Sequence, residues 1–326
     1  MSKTIKIGTR DSELALWQAN TVSKKLNDLG YKTEIVPVKS DGDIILDKPL
    51  YELGITGIFT KTLDVAMISG KVDIAVHSMK DVPTALPQGI VQGAVLQRAN
   101  VLDLLVHKGD TDFLNFNGTI ATGSLRRKAQ WLNKYPTHKV EDLRGNVNTR
   151  MQKLKHNNWN GAIFAAAGLE RLSLSPTLSN GEGAKTLLVK RDTLEFVAEI
   201  LDWMIPAPAQ GAMLVVAMEN DNFVLDAVAQ LNDIESEITT HIERQFLRTL
   251  EGGCTAPIGA IAKYNEHDDT LHFKGVLLSI DGKQKFSIEK DVPIEEWKKL
   301  GFYAAKEILE HGGEALMKEL REQLKK

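Results

Sequence analysis

The chain predicts an α/β protein with parallel strands followed by a smaller α+β unit. Two observations carry this. Short apolar runs alternate with amphipathic segments through the first two thirds of the sequence, which is how β–α–β units read. After about residue 233 the pattern changes to three alternating strands and two terminal helical stretches.

"KTIKIG" reads as a strand, "SELALWQANTVSKKLNDLG" as an amphipathic helix stopped at Gly30, and "KTEIVPV" as the next strand. "FTKTLDVAMISG" is a helix leading into the apolar strand "KVDIAVHS". The alternation returns in "GTIATGS" (strand), "LRRKAQWLNKY" (helix), "VEDLRG" (strand or loop), "NTRMQKLKHNN" (helix) and "GAIFAAAGLERL" (strand into helix or turn). Residues Asn180 to Gly183 read as loop, "RDTLEFVAEILDWM" as helix, and "PAPAQGAMLVVAME" as a further apolar strand. "SEITTHIERQFLRTLEGG" is a long amphipathic helix ended by a glycine pair. "APIGAIAKYN", "DTLHFKGVLLS" and "KQKFSIEKDV" alternate as strands, and "PIEEWKKLGFYAAKEILEHG" and "GEALMKELREQLKK" finish as helices.

The 326 residues suffice for two or three cores, with 43% hydrophobic and 25% charged residues. A net charge of −3 argues against general nucleic-acid or membrane-surface binding, so any basic site must be local. The N-terminus lacks the apolar core of an export signal, and no run is long enough to span a bilayer. Cys254 is the only cysteine and the eight histidines show no zinc-like spacing, so a reducing, cytoplasmic setting without a metal is expected.

The basic residues are oddly placed. Ser124 reads as the N-cap of the helix Leu125–Lys134, which puts Arg126 and Arg127 in its first turn. Cations there oppose the helix dipole by roughly 0.3–1 kcal/mol each, while anions are favoured. Arg150 opens another predicted helix, Arg10 precedes the first beside Ser12, and Lys61 lies near a third. Singly, each reads best as solvated surface charge. Repetition favours a shared anionic ligand with several carboxylates or phosphates. No glycine-rich phosphate loop is present.

Two further residues stand out. Lys80 and Asp81 follow the C-terminal end of a buried strand, where open α/β sheets present ligand-binding groups, and Val82-Pro83 keeps the chain extended after them. A turn aspartate that only caps its loop fits the pattern as well. Cys254 follows two glycines that allow close approach of something bulky, making it either a small buried hydrophobe or a covalent attachment point.

"TRDSELALWQA", "GDIILDKPL", "DIAVHSMKDVP", "GSLRRKAQ", "LRGNVNTR", "AAAGLERL", "AQGAM" and "LEGGCTAPIG" together resemble the porphobilinogen deaminase (hydroxymethylbilane synthase) family over essentially the whole chain. The resemblance implies a transferase of tetrapyrrole and heme biosynthesis. It would join four porphobilinogen units head to tail with loss of ammonia, on a dipyrromethane primer held by a thioether to Cys254. Asp81 would be the catalytic acid. Arg10, Ser12, Lys80, Thr122, Ser124, Arg126, Arg127, Arg144, Arg150 and Arg171 would bind the acetate and propionate groups, with Asp43, Phe59, Gln210 and Arg244 as further cleft residues. The family fold implies a discontinuous first domain (1–98 and 211–231), a second (102–205), both like periplasmic-binding-protein lobes, and a third (234–326) carrying the cysteine loop. A monomer without nucleic-acid or membrane partners is implied too.

Several positions depart from the family pattern. Thr56 replaces a usual lysine, "RANVLDLL" stands for the usual "REDPRDAL", and the stretch between Arg171 and Gln210 is long. The competing readings are a non-catalytic two-lobe solute-binding protein for a polycarboxylate, and a Cys-dependent acyltransferase for which no base can be named.

Overall fold

In the computed structural model the described residues are 3–39, 60–172, 177–178, 186–191, 194–251 and 256–324. Asp43, Thr56, Phe59, Asn180 to Gly183 and Cys254 lie outside them.

The first sheet contains β1 (Thr4–Arg10), β2 (Lys32–Val38), β3 (Ile74–Ser78) and β4 (Ile90–Val95), and it admits a late strand, β12 (Met213–Met218). Its order is β2-β1-β3-β12-β4. β1 runs parallel to β2 and β3, whereas β12 is antiparallel to both β3 and β4. The chain therefore leaves this sheet after β4, builds a second one, and returns. Helix α1 (Glu13–Asp28) closes one face because Ala15, Gln18, Ala19, Val22 and Leu26 recur at helical spacing and are buried. It packs on Ile5, Ile7 and Ile74.

The second sheet takes in β5 (Asp103–His107), β6 (Thr119–Ala121), β7 (Lys139–Glu141), β8 (Gly161–Ala165), β9 (Thr177–Leu178), β10 (Thr186–Arg191) and β11 (Leu194–Ile200). Its order is β7-β6-β8-β5-β11-β10-β9. Helices α3 (Leu125–Lys134) and α4 (Val147–His156) follow β6 and β7, and the short α5 (Ala166–Glu170) follows β8. Between β2 and β3 lies α2 (Lys61–Ile68).

One expectation fails here. "RDTLEFVAEILDWM" is not helical: β11 pairs antiparallel with β5 and β10. Helical spacing competes there with a period of two, in which buried Phe196 and Ala198 alternate with Glu195 and Glu199. The sheet neighbours decide, because residues 196 and 198 both fill the second core.

The remainder is a three-stranded antiparallel sheet, β13 (Ile258–Asn265), β14 (Thr270–Leu278) and β15 (Lys285–Pro293), in that order. It is covered by α7 (Ile234–Thr249), α8 (Trp297–Ile308) and α9 (Glu314–Leu324), around Phe246, Phe273 and Leu300. Asp233 caps α7 through Ser236 N–H at 2.8 Å. Helix α6 (Asn222–Ala229) belongs to the first core, through Val224, Ala227 and Val228. Among the described residues, no helix is long and apolar enough to cross a membrane.

Candidate functional site

The site is assembled where strands of the first two sheets end and the helices after them begin. β1 ends at Arg10, and Ser12 then caps α1, its hydroxyl accepting from Ala15 N–H at 3.3 Å. β3 ends at Ser78, and a single tight turn, Met79–Asp81, presents Lys80 and Asp81. Arg10, Ser12, His77 and Asp81 line one pocket; Lys80, Arg171 and Gly211 line a second, and Leu14 and Ser78 border both. Leu14, although on α1, packs against the core of the second sheet, and Asn148 donates to Glu13 at 2.7 Å. The two sheets thus meet across this cleft.

The structure changes the meaning of the misplaced arginines. Helix α3 starts as the sequence predicts, with Ser124 accepting from Arg127 N–H at 3.5 Å and Thr122 Oγ1 from Ser124 N–H at 3.3 Å. The nearest anion is the protein's own. Asp103, 0% exposed on β5, accepts from Arg126 Nη1 at 2.7 Å and from Arg127 Nη2 at 2.8 Å and Nε at 3.1 Å. Backbone carbonyls accept too, Ile205 O from Arg126 Nη1 at 2.8 Å and Ile163 O from Arg127 Nη1 at 2.9 Å. A dipole cost under about 1 kcal/mol per arginine is small beside the roughly 3–5 kcal/mol at stake in breaking a buried ion pair. Burial alone would raise the pKa of Asp103, but the charges of Arg126 and Arg127 override it and hold the carboxyl well below the usual range.

Asp103 also reaches the Lys80–Asp81 turn. Gln210, fully buried, donates from Nε2 to Asp103 at 2.9 Å and to Val101 O at 2.7 Å, and its Oε1 accepts from Lys80 Nζ at 3.3 Å. Burial, then the Arg127 charge, lowers Lys80 to about 8, with Asp81 and Asp103 opposing. Arg150 donates to Gly145 O at 2.7 Å; burial and the Arg127 charge lower it to about 10, with Asp81 pulling the other way. Arg171, lowered to about 10 by burial, donates to Gly211 O at 2.6 Å and lies over the Trp17 ring at 5.6 Å. Arg144 is buried and its acidity shifts in the same direction for the same cause. His77 is pushed down to about 4 by burial and the Arg10 charge, so it is a neutral wall of the cleft at pH 7.

Among the described residues, the Asp81 carboxylate has no hydrogen-bond partner of its own. It stands within electrostatic reach of Lys80 and Arg150. Arg244 reaches the turn through the turn's backbone. From α7 it donates to Met79 O at 3.2 Å, Val82 O at 2.9 Å and Pro83 O at 2.7 Å, gripping the backbone on either side of the Lys80–Asp81 turn. Its neighbour Glu243, fully buried, takes both Arg98 Nη atoms at 2.7 and 2.8 Å and the N–H groups of Ala209 and Ala262 at 2.6 and 2.8 Å. One helix of the third unit therefore anchors both crossover segments and the Lys80–Asp81 turn. The same unit presses on α3: Gly282, φ +74°, has no room for a Cβ, which would sit 2.5 Å from Ala129 O.

Sequence reasoning missed Asp103, Glu243 and Arg98. A signal for Asp103 existed, since it is the single acid inside the apolar run "VLDLLVH", and a buried carboxylate requires a cation.

Residues 5–226 match the model of the porphobilinogen deaminase dipyrromethane cofactor binding domain, and 238–310 that of the porphobilinogen deaminase C-terminal domain. A probable porphobilinogen deaminase of Methanococcoides burtonii is 38% identical over 96% of this chain and 96% of its own. The porphobilinogen deaminase of Desulforamulus reducens is 37% identical over 98% and 99%. A probable porphobilinogen deaminase of Methanocaldococcus jannaschii is 39% identical over 91% and 98%. Among solved structures, the periplasmic VFT2 domain of Bordetella pertussis BvgS overlaps 70% of this chain and 86% of its own at 13% identity and TM-score 0.39. With a cation-lined cleft, an available carboxylate in it and matches along nearly its whole length, the chain belongs to the porphobilinogen deaminase family.

Proposed function

We propose that this chain joins four porphobilinogen molecules head to tail, releases one ammonia per unit, and delivers linear hydroxymethylbilane, working on a dipyrromethane primer attached to Cys254. The observation that carries the reading is the Asp81 carboxylate, without a hydrogen-bond partner among the described residues, in a cleft whose other charges are mostly cations. The residues fit a polycarboxylate primer. Among the described residues the buried Nε atoms of Arg126 and Arg171 have no hydrogen-bond partner, and burial disfavours the charges of Arg150 and Arg171, a cost that bound carboxylates offset.

When bound, the dipyrromethane supplies the nucleophilic pyrrole carbon to which each new unit is joined. The chain's own residues do the rest. Arg10, Ser12 and Lys80 hold carboxylates on one side of the cleft, and Thr122, Ser124, Arg126, Arg127, Arg144, Arg150 and Arg171 line the other. Asp81 accepts a hydrogen bond from the pyrrole N–H and stabilises positive charge on the ring as ammonia departs. It then takes the proton released when the ring carbon regains aromaticity. Such acid–base and electrostatic help is worth about 10²–10⁴ in rate. Gln210 and Arg244 act on Lys80 and on the turn itself.

The same reading divides the chain into residues 1–98 with 211–231, 102–205 and 234–326, supported by the three sheets and by β12 lying within the first. It also entails a cytoplasmic monomer without a nucleic-acid partner, consistent with the net charge of −3. A purified sample supplied with porphobilinogen is expected to release ammonia and consume substrate in equal amounts, yielding a linear tetrapyrrole. Tight binding of porphobilinogen without any ammonia would favour the solute-binding reading instead.

A further inference from the structure

Asp103 is completely buried, and four side chains converge on it or on its partner. Its Oδ2 holds Arg126, its Oδ1 holds Arg127 and Gln210, and Gln210 in turn holds Lys80. These groups come from β5, α3, the crossover segment and the turn after β3, so the network spans both sheets. We propose that Asp103 is a positioning residue for the carboxylate-binding face, aiming the Arg126–Arg127 pair directly and the Lys80 ammonium through Gln210. The assignment rests on the reading of the cleft as a polycarboxylate site.

The argument is one of donors and acceptors. Asp103 as an anion can only accept, so the Gln210 amide must turn its NH₂ group toward it, where Val101 O takes the second proton. The amide oxygen is thereby left facing Lys80. A neutral donor at position 103 would remove this constraint, letting the amide turn its NH₂ toward an ammonium that has nothing to accept with. Charge works in the same direction. Lys80 faces Arg126 and Arg127 from α3, Asp103 from β5 and Asp81 beside it, with Gln210 its hydrogen-bond acceptor. The two arginines disfavour its charge and the two carboxylates favour it. Removing Asp103 leaves two uncompensated guanidinium groups beside Lys80, so its proton is lost at lower pH.

The sign gives the experiment. Lys80 carries its charge below its titration midpoint and loses it as pH rises through that point. Competitive acetylation of Lys80 with acetic anhydride across the neutral to alkaline range, read by peptide mass, follows this without substrate. Asp103→Asn is expected to lower the midpoint by about one pH unit and Gln210→Met by about half of that. In Gln210→Met, KM for porphobilinogen should rise about tenfold with a smaller change in kcat, and the rise should begin at lower pH than in the wild type. Should Asp103→Asn fail to fold, Gln210→Met decides alone. Folded variants with wild-type Lys80 midpoints and wild-type KM overturn the assignment. A wild-type protein that consumes no porphobilinogen would refute the functional reading, while the acetylation midpoints still decide the network.

Discussion

The two walls of the cleft carry similar residues in opposite states. On the first-sheet side, Asp81 keeps a carboxylate without a hydrogen-bond partner among the described residues, and Lys80 has one side-chain acceptor, Gln210, at 3.3 Å. On the second-sheet side, Arg126 and Arg127 are 3% and 5% exposed and bound to Asp103, Ile163 O and Ile205 O. One wall presents its charges on a short turn; the other holds two arginines on a single shared internal carboxylate. A cation near a ligand is therefore not automatically a ligand-binding cation, and its internal partners decide how much of it remains to be used.

That contrast can be broken from either side. Asp81→Asn acts on the open wall: kcat should fall about 10²–10⁴-fold with the melting temperature nearly unchanged, measured by ammonia release and thermal unfolding. Wild-type rates would show that another group handles the proton. Asp103→Asn acts on the other wall and should reduce stability by roughly 3–5 kcal/mol, because two buried guanidinium groups lose their counter-charge; chemical denaturation measures this. Equal stability would mean that water compensates them and that the shared-carboxylate description is wrong. The smallest effect is expected at the helix start, where Ser124→Ala should cost about 1 kcal/mol by removing the cap of α3. A substrate-affinity loss exceeding that stability loss would place the hydroxyl on the ligand as well as on the cap.

Much of this was legible in the sequence. Capping and periodicity placed α3 at Leu125–Lys134, Arg10 just before the first helix, and Lys80 and Asp81 just beyond the end of β3. What local pattern could not supply was partnership at long range. Asp103 and Arg127 are 24 residues apart, Gln210 and Lys80 are 130 apart, and neither spacing leaves a trace in a hydrophobic pattern. For the same reason β11 reads as a helix until its neighbours β5 and β10 are known, since pairing and burial outweigh intrinsic preference. Arg244 illustrates a third limit: motif position marks the residue but does not show that its guanidinium grips the backbone around Lys80 and Asp81.

The central claim is that this cleft elongates a pyrrole chain anchored to Cys254. Intact-mass measurement of the purified protein, before and after brief exposure to porphobilinogen, tests it most directly. The account predicts a starting mass raised by two linked pyrrole units, located on the peptide containing Cys254, and further increments of whole pyrrole units after exposure. An unmodified chain that nevertheless turns over porphobilinogen, or increments carried on any residue other than Cys254, would contradict it.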